Sequence, residues 1–177
     1  MGVNAVRFNV AQLLKSAPGA SREHELEEDI SGIDKDVEVS KPLVGKVKLL
    51  HTGDGILVTG HLRTEACVPC RRCLADALVS VELHLEEQFR PSVDIITGQP
   101  LPLEGDQEEA TRIDAHHILD LTEMVRQNIL LALPMSALCK AECRGLCPEC
   151  GQNINDGPCD CQPAEGDSRL SVLRELL

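Results

Sequence analysis

The stretch that decides the fold is Leu43-Val-Gly-Lys-Val-Lys-Leu-Leu-His51, followed by Thr-Gly-Asp-Gly55 and then by Ile56-Leu-Val-Thr-Gly-His-Leu62. Apolar and polar residues alternate along both runs with a period of two, which is typical of strands that bury one face. The glycines on either side of Asp54 are typical of a hairpin turn. The stretch therefore predicts two antiparallel strands that share a buried face.

A third alternating run, residues 77–86, predicts another strand with one solvated face. Further along, residues 120–133 predict a helix that packs on the sheet, with Asp120 and Glu123 as a capping box and Pro134 beyond its end. Its apolar stripe consists of Leu121, Met124, Val125, Ile129 and Ala132. The predicted class is α+β, with an antiparallel twisted sheet or a partly open β-barrel.

The chain divides, on this interpretation, into a β-rich core domain at 1–134 and a cysteine-rich tail at 135–177. Within the core domain, the Pro-rich and acidic segment 91–112 is interpreted as a mobile loop. The tail is expected to end in a short helix that Asp167 caps. Its apolar side comprises Leu170, Leu173, Leu176 and Leu177.

The composition of the chain argues against some classes of function. The formal net charge is −12 and aromatic residues make up 1% of the chain, so neither general attraction to phosphate nor base stacking on aromatic rings favours nucleic-acid binding. Contact with RNA would require a local basic patch. We find no targeting signal and no apolar run of membrane-spanning length, and we therefore expect a cytoplasmic protein with reduced cysteines and no membrane partner.

Cysteine spacing is the strongest chemical signal. Eight of the nine cysteines fall in closely spaced pairs, and a tetrahedral zinc ion takes about four thiolates. The pairs are Cys70/Cys73, Cys139/Cys143, Cys147/Cys150 and Cys159/Cys161. The stretch that holds the last three pairs is too polar and too rich in Gly and Pro to fold around an apolar core, so a metal is expected to order it.

Spacing also suggests how the pairs combine. Cys147-Pro-Glu-Cys150-Gly is a strong knuckle signal, and Cys159 and Cys161 follow it after a short loop, so these four are predicted to form one local site. The second predicted site joins Cys70 and Cys73 to Cys139 and Cys143. Two zinc ions would bring the charge to roughly −16. The alternative is one ion held by tail cysteines, with Cys70 and Cys73 as a reduced dithiol.

Four cysteines per ion leave no open coordination position, so the metal is interpreted as structural. No nucleophile motif, phosphate loop or paired-carboxylate motif is visible, and we predict neither an enzyme nor a small-molecule substrate. Around the second site, Arg71, Arg72, Lys140 and Arg144 are candidates for RNA binding. They could equally serve to neutralise the thiolates.

With these segments identified, the chain resembles the YceD family, the large ribosomal RNA subunit accumulation proteins. The resemblance is carried by Cys70-Arg-Arg-Cys73-Leu74, by the helix from Ile118 to Pro134, by Cys143-Arg-Gly-Leu-Cys147-Pro-Glu-Cys150-Gly and by Asp167-Ser-Arg-Leu170. It implies a non-enzymatic role in ribosome assembly, with a large-subunit rRNA precursor or a basic ribosomal protein as partner. Cys67 departs from the family pattern.

One function of a different class stays open on sequence grounds. Reactive thiols at Cys67, Cys70 and Cys73 would suit a thiol redox sensor or a zinc-dependent holdase chaperone.

Overall fold

The computed structural model of the protein describes residues 6–102 and 109–161. Residues 103–108, which belong to the predicted acidic loop, lie outside the described residues. The predicted terminal helix lies outside them as well.

Strands dominate the described chain. They are β1 Arg7–Asn9, β2 Ser21–Glu28, β3 Glu38–Val39, β4 Leu43–His51, β5 Ile56–Pro69, β6 Asp76–Pro91, β7 Arg112–Ile113 and β8 Ile118–Asp120. The helices are α1 Ala11–Leu14, a single 3-10 turn at Glu109–Thr111, and α2 Thr122–Ala132.

The main sheet is open, with the strand order β2-β4-β5-β6-β7 and with β3 paired to β5. Strand β4 pairs antiparallel with both β2 and β5, whereas β7 runs parallel to β6 over two residue pairs. Strands β1 and β8 form a separate antiparallel pair. Of the two predicted architectures, the open sheet is therefore the one observed.

The predicted hairpin joins β4 to β5. His51 lies opposite Ile56, and the N–H of Thr52 donates to the carbonyl of Gly55 at 3.0 Å. The alternating pattern is confirmed, since every second residue of β4 and β5 faces the core. Those buried on this side are Leu43, Val47, Leu49, Ile56, Val58, Leu62 and Ala66.

The chain forms two compact units. Among the described residues, the first unit holds 6–68 and 78–135 apart from 103–108, and the second holds 69–77 and 136–161. In the described part of the chain, the apolar core cluster lies within the first unit, with Phe89 its largest fully buried side chain. Buried positions in the second unit are mostly cysteines. They are Cys70, Cys73, Ala77, Ala137, Cys143, Gly145 and Cys147.

Helix α2 differs from its prediction at the start. It begins at Thr122, because Asp120 belongs to β8 and its Oδ1 accepts from the N–H of Thr122 at 2.9 Å. Glu123 does not complete a capping box, since its carboxylate binds Arg126 at 2.6 Å instead.

At its other end, α2 stops at Ala132. Leu133 is extended, with ψ near 134°, as the residue before Pro134 must be. The predicted apolar stripe is buried at Leu121, Met124, Val125 and Ile129. Ala132 is exposed, so its assignment to that stripe was wrong.

Candidate metal centres

Two groups of four cysteines come together in the described part of the chain, and in each group the four sulfur atoms lie within 4.8 Å of one another. Cluster A contains Cys70, Cys73, Cys139 and Cys143. Cluster B contains Cys147, Cys150, Cys159 and Cys161. These are the groups that spacing predicted, and both belong to the second unit.

Sulfur separations in cluster A suit a tetrahedral ion. The sulfurs of Cys70 and Cys143 lie 3.8 Å apart, and those of Cys73 and Cys139 lie 3.5 Å apart. Four sulfurs bound to one zinc at about 2.3 Å are separated by about 3.8 Å. None of the nine cysteines, all of which are described, forms a disulfide. The cluster therefore fits a bound metal, with each thiol reduced.

The same backbone turn presents the first sulfurs of both clusters. In cluster A, the N–H of Leu74 donates to the carbonyl of Cys70 at 2.9 Å, and the N–H of Cys70 donates to Ala75 at 2.8 Å. In cluster B, the N–H of Gly151 donates to the carbonyl of Cys147 at 2.9 Å. These two CxxC segments are thus matching knuckles.

Each knuckle needs a left-handed residue directly after its second cysteine. Gly151 has φ +73° and meets this need without steric cost. Leu74 has φ +61° and is a rare non-glycine residue in this conformation. The turn therefore costs backbone strain at Leu74 in the first knuckle and none at Gly151 in the second.

Electrostatics within cluster A favour a cation. Backbone N–H groups, that of Cys139 first, lower the pKa of the Cys70 thiol to about 6. The neighbouring sulfur of Cys73 raises the pKa of the Cys139 thiol to about 12. Four thiols held this close cannot all ionise unless a positive charge offsets their repulsion, and a divalent metal supplies that charge.

In cluster B, too, the pKa of one thiol is lowered while that of another is raised. The N–H group of Cys150 is the main cause that lowers the pKa of the Cys147 thiol to about 7. The sulfur of Cys150 raises the pKa of the Cys161 thiol to about 12. A divalent cation would again allow all four sulfurs to bind as thiolates.

Asn155 supports cluster A from the loop between the cysteines of cluster B, and sequence reasoning missed it. Its Nδ2 donates to the sulfur of Cys143 at 3.4 Å and to Oδ1 of Asn153 at 2.7 Å. Its Oδ1 accepts from the N–H of Arg144 at 2.9 Å. The hydrogen bond to Cys143 lowers the pKa of that thiol. No spacing rule identifies such a residue, because its contacts depend on how the loop after Cys150 folds back onto Cys143 and Arg144.

The four basic candidates adjoin the cysteines of cluster A in the sequence. Arg71 and Arg72 lie between two of its cysteines, while Lys140 and Arg144 each follow one directly, and all four are exposed. Nη1 of Arg72 donates to the carbonyl of Cys143 at 2.8 Å. The backbone N–H of Arg71 donates to the carbonyl of Ala137 at 3.0 Å. Exposed positive residues therefore stand next to cysteines of which three are buried.

Cys67 belongs to neither cluster. It lies on β5 opposite Glu38 of β3 and is half-buried. Its sequence position three residues before Cys70 does not make it a fifth member of cluster A.

The part of the chain that contains the cysteine clusters also matches a known protein family. Residues 58–177, which include all eight clustered cysteines, match the family described as "Large ribosomal RNA subunit accumulation protein YceD". The chain belongs to the YceD family. The resemblance seen in the sequence is thereby confirmed. The family is named for the accumulation of an RNA and not for a catalysed reaction.

Individual YceD relatives are distant. An uncharacterized protein of Mycobacterium tuberculosis is 30% identical over 124 residues, which is 70% of this chain and 56% of the relative. "Large ribosomal RNA subunit accumulation protein YCED homolog 1, chloroplastic" of Arabidopsis thaliana is 25% identical over 163 residues, 80% of this chain and 50% of the relative. The chain thus spans about half the length of these curated relatives. No solved structure matches it.

Helices in the described part of this YceD chain are too short or too polar for a membrane span.

Proposed function

We propose that the protein is a non-enzymatic ribosome-assembly factor that binds a large-subunit rRNA precursor through the basic side chains around cluster A. The observation that carries this proposal is the family match over residues 58–177, which includes both cysteine clusters. The printed name of the Arabidopsis relative supports the same role.

Both clusters would hold zinc, one ion each, and both would be structural. Each offers four thiolates, which complete a tetrahedral zinc shell and leave no position for a substrate or a reactive water. Matching knuckles and the supporting Asn155 fit a closed site, because such contacts fix ligand orientation.

Charge separation at cluster A supports the RNA contact. Residues 69–77 and 136–146 carry four positive side chains, those of the basic candidates, and two negative ones, Asp76 and Glu142. A zinc ion with four thiolates adds about −2, and three of its four cysteines are buried. The positive groups would therefore face solvent while the negative charge stays inside.

The rest of the molecule would restrict where RNA can bind. With a formal net charge of −12, other surfaces repel phosphate on average. A basic patch on such a background favours one docking position over coating along the RNA. Guanidinium groups would bind phosphate oxygens by charge-assisted hydrogen bonds.

A double charge reversal tests the proposal. Arg71→Glu with Arg144→Glu avoids Arg72, whose side chain also supports the Cys143 carbonyl. We expect at least about tenfold weaker binding to a large-subunit rRNA precursor in a filter-binding assay. The dependence of log K on log salt should become shallower by about 0.7 for each phosphate of single-stranded RNA that the variant no longer binds.

The matched control is Lys48→Glu with Arg63→Glu. These two exposed residues lie on the main sheet, and their reversal changes the net charge by the same amount. An equal decrease in RNA affinity in both double variants would reject a local patch. Zinc content per chain must match the wild type in both, and amide exchange in β4 and β5 must stay slow in both, which distinguishes weakened RNA binding from unfolding of either unit.

A basic ribosomal protein is the other partner compatible with this role. Precipitation of ribosomal proteins that survives nuclease treatment and falls with salt would favour direct protein binding over RNA binding.

A redox function is the competing class, and the 3.5 Å separation between the sulfurs of Cys73 and Cys139 is the observation that favours it. A disulfide between them would release the ion from cluster A. Zinc release by mild peroxide, at concentrations that leave cluster B loaded, would support redox sensing. Resistance of zinc-loaded protein would argue against it.

A further inference from the structure

Two histidines form a close pair on the exposed face of the main sheet, within the first unit. His61 lies on β5 and His84 on β6, and their Nδ1 atoms are 2.7 Å apart. Their rings meet edge to face, with centroids 4.7 Å apart. Both side chains are exposed. Neither cysteine cluster involves them.

We propose that His61 and His84 form an exchangeable site for a divalent transition cation, independent of the cysteine clusters and of the RNA-binding role. Imidazole nitrogen is a preferred ligand of Zn²⁺, Ni²⁺ and Cu²⁺. Without a metal, one ring nitrogen of the pair donates a hydrogen bond to the other. With a metal, both nitrogens bind the ion by their lone pairs.

The geometry of the pair is close to that of two neighbouring metal ligands. Two nitrogens at about 2.0–2.1 Å from one ion are about 2.9 Å apart at a right angle and about 3.3 Å apart in a tetrahedron. From the observed 2.7 Å, the two nitrogens would have to separate by about 0.2–0.6 Å, and the rings would have to turn so that both lone pairs point at the ion. Strand pairing holds the two backbones in place, so this adjustment falls on exposed side chains.

The surroundings can supply further ligands. Glu82 and Glu86 lie two residues before and after His84 on β6, and all three side chains share the solvated face. Glu82 and both histidines line a shallow cavity of about 530 Å³, and Glu86 with the same histidines lines another of about 560 Å³. Within the described residues, no third ligand atom lies as close as in the cysteine clusters. Water or a turned carboxylate would complete the shell, which makes the site open and exchangeable.

One of the competing cations near the pair is partly neutralised. Lys46 lies opposite His61 on β4, and its ammonium group is held by the carboxylate of Glu25 at 3.0 Å. A chain of net charge −12 also attracts cations overall.

Nickel titration of the full, zinc-loaded chain tests the proposal. We expect one Ni²⁺ per chain by calorimetry with no zinc release. His61→Asn and His84→Asn should each weaken this binding by at least about tenfold, because the remaining imidazole loses the advantage of its neighbour. His116→Asn removes an exposed imidazole in a turn and is the matched control, with wild-type affinity expected.

Paramagnetic Ni²⁺ gives a second readout. In protein labelled at histidine, it should broaden the ring signals of His61 and His84 before those of His116. Wild-type affinity in both single variants, or nickel uptake that releases zinc equally from wild type and the double variant, would overturn the proposal. Slow amide exchange in β4 and β5 of each variant reports whether the first unit, which carries both histidines, is still folded.

Discussion

Asn155 contacts a candidate metal ligand without belonging to either cysteine cluster. Its amide donates to the sulfur of Cys143, and its carbonyl oxygen fixes the N–H of Arg144. A thiolate that accepts hydrogen bonds carries less negative charge density and is held in one orientation. The residue therefore acts on both the charge and the position of one cluster A ligand.

We expect Asn155→Ala to weaken zinc binding at one of the two clusters by about 10–100-fold, because the variant removes an outer-shell partner of a ligand. Competition with a chromogenic chelator would show this as one weakened step out of two. Gln152→Ala is the matched control, since Gln152 is exposed and accepts from Cys147 through its backbone carbonyl. Equal affinity in Asn155→Ala and wild type would show that the hydrogen bond is incidental.

Leu74 is the residue at which one knuckle departs from the other. Its side chain is 67% exposed and its φ of +61° is unfavourable for any residue with a Cβ. Leu74→Gly should therefore stabilise the knuckle relative to Leu74→Ala by about 1 kcal/mol. Chelator concentrations at half release of zinc would rank the two variants. The opposite order would show that a Cβ at this position stabilises the turn more than a relaxed backbone does.

At the scale of elements, the pairing of β4 with β5 leaves no room for a side chain at Gly45. It pairs with Leu62 and has φ +152°, and an added Cβ would lie 2.9 Å from the Leu62 Cα and closer still to the His61 carbonyl oxygen. Backbone atoms on a paired strand cannot move aside as a flexible side chain could. The hairpin thus depends on a position without a side chain.

Gly45→Ala should destabilise the first unit by at least about 3 kcal/mol, the sum of backbone strain and overpacking. Gly19→Ala is the matched control, because Gly19 has φ +94° but an added Cβ would have no atom within 4 Å. It should destabilise the unit by only about 1–2 kcal/mol. Amide exchange in β4 and β5 measures both. Similar destabilisation in the two variants would mean that the sheet adjusts to the added methyl group.

Local sequence patterns were enough to predict some elements of this structure. Period-two alternation identified the β4–β5 hairpin because each strand buries one face. Cysteine spacing grouped Cys147 with Cys150 because a knuckle is a local turn. The start of α2 was misjudged because Asp120 is taken by pairing with Arg7 on β1, a contact 113 residues away in sequence.

The His61–His84 pair was missed for a similar reason. Alternation alone puts each histidine on a solvated strand face, but only the pairing of β5 with β6 places one beside the other. Alternation fixes which face a side chain occupies, whereas its neighbour across the sheet depends on pairing.

At the scale of the whole molecule, the two units differ in the kinds of side chain that they bury. Within the described residues, the first has a continuous apolar core, and burial of such surface stabilises it without a ligand. The second buries four cysteines but few aliphatic side chains. Its backbone hydrogen bonds include the turns of the two knuckles and the bond from Arg71 to Ala137, and each such bond contributes only modestly to net stability. We therefore expect metal binding to be the main source of its stability.

Removal of metal should therefore unfold one unit and spare the other. After treatment with a strong chelator under reducing conditions, we expect two zinc ions released per chain. Hydrogen exchange should become fast at residues 69–77 and 136–161 and stay slow in β4 and β5, because the apolar core of the first unit needs no metal. Readdition of zinc should restore protection, which excludes irreversible damage. Loss of protection throughout the chain would show that the first unit depends on the metal as well, and unchanged protection at 69–77 would show that the clusters are not what orders the second unit.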